Sequence, residues 1–112
     1  MTESASASKP RVLVVDDSRL IQKAIRKMLE HEFDVAAADD GVEAWAIIEV
    51  DPAIQVVFSD LDMPRMDGFE LLRTIRAATD TRVQELPVII VTGARDDDAA
   101  RREALELGAT DF

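Results

Sequence analysis

A chain of 112 residues suits one domain, and its 47% hydrophobic content is enough for a core and too high for a disordered polymer. The net charge of −10 repels phosphate backbones and argues against direct nucleic-acid binding, while the absence of cysteine excludes disulfides and thiolate metal sites. No apolar run is long enough to span a bilayer, and the small polar leader at residues 1–10 lacks the apolar centre of a signal peptide. The leader is expected to be disordered, and the chain to be cytoplasmic with no membrane association.

The first element is Val12-Leu13-Val14-Val15, a continuous apolar, β-branched run of the kind found in strands buried on both faces of a parallel sheet. It stops at Asp16-Asp17-Ser18. Leu20, Ile21, Ala24, Ile25, Met28 and Leu29 then form one apolar stripe of a helix, with Ser18 as its N-cap and Arg19, Lys23, Arg26 and Lys27 around the polar side. Residues 33–38 predict a weaker strand, since alanine is a poor β-former. Asp40, with Glu43 three positions on, resembles a capping box opening a helix that carries Ala44, Trp45, Ile47 and Ile48; Trp45 is expected to pack.

Val56-Val57-Phe58 predicts a third strand, ending at Ser59-Asp60. A loop shaped by Pro64 and Gly68 follows. Asp67 and Glu70 repeat the cap spacing ahead of a helix faced by Phe69, Leu71, Leu72 and Ile75. Val88-Ile89-Ile90-Val91 is the strongest strand signal and ends at Thr92-Gly93. Asp96, Asp97 and Asp98 sit where a last helix begins, and negative charge there meets the positive end of the helix dipole. Ala100, Ala104, Leu105 and Leu107 follow, with Gly108 as a helix-terminating C′ residue. His31 sits alone near a helix end, where a cation is mildly favoured, and is not expected to be catalytic; Arg19, just after the acidic pair, could reach a phosphoryl group but reads better as a solvated position.

Strands alternating with helices imply an α/β fold: a doubly wound parallel sheet, helices on both faces, functional groups at the carboxyl ends of the strands. Those ends are Asp16-Asp17, Asp60 with Asp62 close behind, and Thr92. Two carboxylates about 4 Å apart repel by about 4 kcal/mol at an effective dielectric near 20, so such a group calls for a cation or protons. Ligands that are all oxygen select a hard ion such as Mg²⁺. A carboxylate can also act as a nucleophile and carry a phosphoryl group, and a hydroxyl such as that of Thr92 can bond a phosphoryl oxygen.

The segments Val12-Leu13-Val14-Val15-Asp16-Asp17-Ser18, Asp60-Leu61-Asp62-Met63-Pro64-Arg65-Met66-Asp67-Gly68, Pro87-Val88-Ile89-Ile90-Val91-Thr92-Gly93 and Gly108-Ala109-Thr110-Asp111-Phe112 together resemble the receiver domains of two-component response regulators. The resemblance runs over residues 11–112 and implies a flavodoxin-like sheet of order 2-1-3-4-5. It implies Asp60 as phosphoacceptor and also as a Mg²⁺ ligand, and Asp17 as a direct Mg²⁺ ligand, with Mn²⁺ able to substitute. Asp16 would act mainly through water, and Asp62 would contribute its backbone carbonyl. Thr92 would bind the phosphoryl group and take part in switching, with Phe112 as the switch aromatic. The phosphoryl donor would be a histidine kinase or phosphotransfer protein.

The same resemblance implies a Lys three positions past Phe112, then a last helix, neither of which is in this sequence. The domain is therefore expected to be C-terminally incomplete, with the fifth strand and last helix largely missing. Phosphorylation without that Lys would be slow or absent. An effector domain in the native chain is expected, and the fourth strand's open edge invites a homodimer.

Two other functions fit some of the residues. Asp60-Leu61-Asp62 resembles the aspartate pair of haloacid-dehalogenase-type phosphohydrolases, but there the nucleophile strand comes first, whereas here Asp16-Asp17 precede it. A receiver that no longer switches and only docks or dimerises is the other alternative. The expected function is a phosphorylation-controlled module, not a turnover enzyme.

Overall fold

The computed structural model describes residues 9–92 and 98–112. Its elements are β1 (Arg11–Val15), α1 (Arg19–Leu29), β2 (Asp34–Ala38), α2 (Gly41–Val50), β3 (Ile54–Ser59), α3 (Gly68–Arg76), α4 (Thr81–Gln84), β4 (Val88–Ile90) and α5 (Asp98–Glu106). The strands form one parallel sheet of order β2-β1-β3-β4. A parallel bridge between Ile89 and Asp111 lies outside the named strands, where a fifth strand is expected.

Strand residues alternate between two layers of core. Leu13, Val15, Val57, Val88 and Ile90 join one large buried cluster with Ile48, Leu71, Leu72, Ile75 and Ala104 from the helices. Val12 and Val14, pointing the other way, join Val35 in a smaller cluster against which Ile25 and Leu29 of α1 pack. The helices therefore lie on both faces, but unequally. No residue of α1 is fully buried, and Leu20 and Met28 of its stripe are 77% and 70% exposed. The stripe is wider than the strip of sheet beneath it, because α1 packs mainly on β1 and β2.

Local chemistry sets the helix starts. Ser18 accepts from the Ile21 amide (3.3 Å), and Asp67 with Glu70 closes a reciprocal capping box at α3. At α2 Asp40 accepts from the Glu43 amide, but the expected return bond goes elsewhere. The Glu43 carboxylate accepts from the Asp39 amide (2.9 Å) and so ties down the chain one residue earlier. Gly108 has φ +104°, the left-handed conformation that its expected role requires.

α4 was not visible in the sequence, because a single turn capped by Asp80 is too short to show a period. The half-buried Arg76 binds this region together: its guanidinium donates to the carbonyls of Gln84, Leu86 and Gly108. At the amino end, the Pro10 carbonyl accepts from the Asp34 amide. The rest of the expected leader, residues 1–8, lies outside the described residues, as do Gly93, Asp96 and Asp97.

Candidate functional site

β1, β3 and β4 end side by side on one edge of the sheet. Beyond the strand ends, the Asp16 amide donates to the Ala38 carbonyl, the Asp60 amide to Val15 and the Val91 amide to Ser59. Residues far apart in sequence are thereby brought together. One carboxylate oxygen from each of Asp16, Asp17 and Asp60 lies within 4.8 Å of the others. The Ser18 amide holds Asp16 Oδ1 at 2.8 Å, and the Leu61 amide holds Asp60 Oδ1 at 2.8 Å. The Thr92 hydroxyl also donates to the Asp60 carboxylate.

The electrostatics fit a cation. Asp16 is buried, Asp60 half-buried and Asp17 exposed. Burial pushes the Asp16 carboxyl above the usual carboxylate range, and the nearby Asp60 and Asp17 charges push it further. Asp60 is raised in the same way, by burial first and then by Asp17 and Asp62, against the lowering effect of its bonds from Leu61 and Thr92. Carboxylates that are crowded and partly dehydrated gain most from a divalent ion, and a donor set made only of oxygen suits Mg²⁺ or Mn²⁺.

The other expected residues are more scattered. Asp62 is exposed but near enough for its charge to act on Asp60. Phe112 lies beneath the Arg101 guanidinium, 5.2 Å from its ring centroid. Phe112 and Thr92 also line one recess of about 340 Å³ along β4.

Several supporting residues escaped the sequence reading. Gln22 Nε2 donates to the carbonyls of Asp16 (2.7 Å) and Ala38 (3.2 Å) and to Asp39 Oδ1 (2.8 Å), clamping the acidic loop to the end of β2. Arg19 is largely exposed, as expected, and also ion-pairs with the same Asp39 at 2.9 Å. Arg65 ion-pairs with the buried Asp40 at 2.8 Å. Arg65 has φ 66°, a left-handed conformation that costs a non-glycine residue about 1–2 kcal/mol. Gly68 does more than shape a loop: a Cβ there would lie 2.3 Å from the Asp60 carbonyl oxygen. Only a missing side chain lets α3 start this close to Asp60.

An open parallel sheet with an acidic cluster and a hydroxyl at its carboxyl edge defines a flavodoxin-like α/β domain with a site that could hold a metal ion. The sequence matches the response regulator receiver domain family over residues 12–112, and the chain belongs to that family. It is 39% identical over 103 residues to the response regulator MprA of Mycobacterium avium, covering 91% of this chain and 42% of that protein. It is 44% identical over 108 residues to protein-glutamate methylesterase/protein-glutamine glutaminase 3 of Geobacter sulfurreducens, covering 93% of this chain and 27% of that protein. The chain thus spans less than half the length of these relatives. A response regulator receiver protein from Pseudomonas putida superposes with a TM-score of 0.84 at 32% identity, covering 94% of this chain and 84% of that one. No helix among the described residues is long and apolar enough to cross a membrane.

Proposed function

We propose that this domain accepts a phosphoryl group on Asp60 from a phosphohistidine of a histidine kinase or phosphotransfer protein, with Mg²⁺ bound by the acidic cluster. The observation that carries this reading is the meeting of Asp16, Asp17 and Asp60 within 4.8 Å. An Asp60 carboxylate oxygen attacks phosphorus, the P–N bond of the phosphohistidine breaks, and the departing imidazole takes up a proton. The metal, when bound, neutralises charge on the carboxylates and on the transferred phosphoryl oxygens. Asp17 would hold it directly with Asp60 as a further carboxylate, Asp16 mainly through water, and Asp62 through its main-chain carbonyl.

The Thr92 hydroxyl, already on Asp60, then turns to the phosphoryl oxygen, and the recess it shares with Phe112 links that movement to the surface. A protein donor is favoured over a small one because Leu20 and Ile21 present apolar surface directly after the acidic loop. The unit is a switch at residues 11–112, preceded by a leader. It does not turn over as an enzyme, and it acts in the cytoplasm through effector segments of a longer protein.

Beryllofluoride, a phosphoryl mimic, tests this. Added with Mg²⁺ at a hundredfold excess over its Kd, it is expected to stabilise the native protein by about 2.7 kcal/mol and to leave Asp60→Asn at its Mg²⁺-only melting temperature. An equal shift in Asp60→Asn would place the ligand elsewhere. Sustained turnover of p-nitrophenyl phosphate would indicate a hydrolase instead.

A further inference from the structure

Arg65 adopts a left-handed backbone, a conformation that a long side chain keeps only when its surroundings hold it there. Asp40 provides that hold: Arg65 Nε and Nη2 each lie 2.8 Å from its Oδ2. Asp40 cannot follow a moving loop, since it is only 4% exposed and its Oδ1 is engaged in capping α2. The adjoining residues reinforce the joint. The Gly41 amide donates to the Met66 carbonyl at 3.0 Å, and a Cβ on Gly41 would lie 2.7 Å from that oxygen.

The segment after Asp60 is thus pinned at both ends. Leu61 is held on the Asp60 carboxylate and bonded to the Gly68 amide, while Arg65 and Met66 are fastened to the start of α2. Asp62 lies between these pins.

We infer that Arg65 is a positioning residue for the metal centre: its ion pair with Asp40 fixes the segment that carries Asp62 relative to Asp60 before any ion arrives. This rests on the receiver reading, in which the Asp62 carbonyl is a ligand. Mg²⁺ demands near-ideal octahedral geometry, so a ligand on a loosened segment binds more weakly because it must be ordered at the moment of binding. Removing a positive charge near the site should tighten cation binding by Coulomb's law, whereas removing a positioning residue should weaken it.

The test is a Mn²⁺ titration of the whole chain, read by the electron paramagnetic resonance of free ion, with Mg²⁺ as competitor. Arg65→Gly is expected to weaken binding by about tenfold. Its metal-free melting temperature should change little or fall modestly, because the strain that glycine relieves is offset by the Asp40 carboxylate left without its ion pair and by glycine's greater freedom in the unfolded chain. Arg65→Lys should retain part of the affinity. In an Asp40→Asn background, where asparagine still caps α2, adding Arg65→Gly should cost nothing further.

Binding by Arg65→Gly as tight as or tighter than native would overturn the inference, as would a full further loss in the Asp40→Asn background. A native protein that binds neither ion would remove the receiver reading, and this inference with it.

Discussion

Asp16→Asn is expected to melt higher than the native protein when both are free of metal, and to bind Mg²⁺ at least about tenfold more weakly. Unit charges 4.8 Å apart repel by about 3.5 kcal/mol at an effective dielectric near 20. Asp17 is exposed and water screens its share, so the net gain is on the order of 1–2 kcal/mol. For a domain of this size each kcal/mol moves the melting temperature by about 4–8 °C. Asparagine keeps an oxygen in the Oδ1 position to accept from the Ser18 amide, so the acidic loop should hold its shape.

The pH dependence gives this expectation a sign. The folded Asp16 carboxyl titrates above its ordinary value of 3.8, mainly through burial, so the native state holds more protons than the unfolded chain in the window above that value. Its stabilising contribution is full below pH 3.8 and is lost as pH rises through the raised folded value. The melting-temperature gap between Asp16→Asn and native should therefore be small near pH 3.8, widen across the window above it, and shrink or reverse when Mg²⁺ saturates the native protein. A constant gap from pH 4 to 7 would show that the charge on the buried and crowded Asp16 is not its source. Asp40 works in the opposite sense. The Glu43 amide and Arg65 lower its titration, so the stability it contributes is present above 3.8 and lost in more acidic solution.

What the sequence revealed of the site depended on whether its signals were local. Val12-Leu13-Val14-Val15 and Val88-Ile89-Ile90-Val91 announce strands because buried parallel strands have no polar face, and their ends place Asp16, Asp17 and Thr92 by register alone. The supporting contacts leave no such trace. Arg65 and Asp40 are 25 residues apart, and neither lies in a pattern that names the other. Gln22 reads as an ordinary polar helix residue, although its amide holds the acidic loop. The stripe of α1 was legible as a helix face but not as a mostly exposed one, because periodicity records which side is apolar and not how far the neighbouring layer extends. Glu43 sat at the right spacing for a capping box, yet a carboxylate on a flexible stem found the Asp39 amide instead.

Gly68→Ala provides the other large effect, and here too the sign decides. At the first position of an exposed helix, replacing glycine by alanine normally gains about 0.5–1 kcal/mol from backbone entropy and helix propensity. Here the new Cβ would meet the Asp60 carbonyl oxygen at 2.3 Å and the Leu61 Cα at 3.0 Å. Both are backbone atoms, so no side-chain rotation relieves the clash. Either α3 withdraws, breaking the Gly68 amide bond to Leu61 (2.8 Å), or the Asp60 backbone moves. Overpacking of this kind costs about 1–3 kcal/mol, and the lost hydrogen bond adds about 1 kcal/mol. Gly68→Ala should therefore lower the melting temperature by roughly 8–30 °C. Metal affinity should fall as well, because the displaced backbone carries a proposed ligand, Asp60. A variant as stable as native would mean that α3 does not approach the end of β3 this closely, and the arrangement of Asp60 against Asp16 and Asp17 would have to be redrawn.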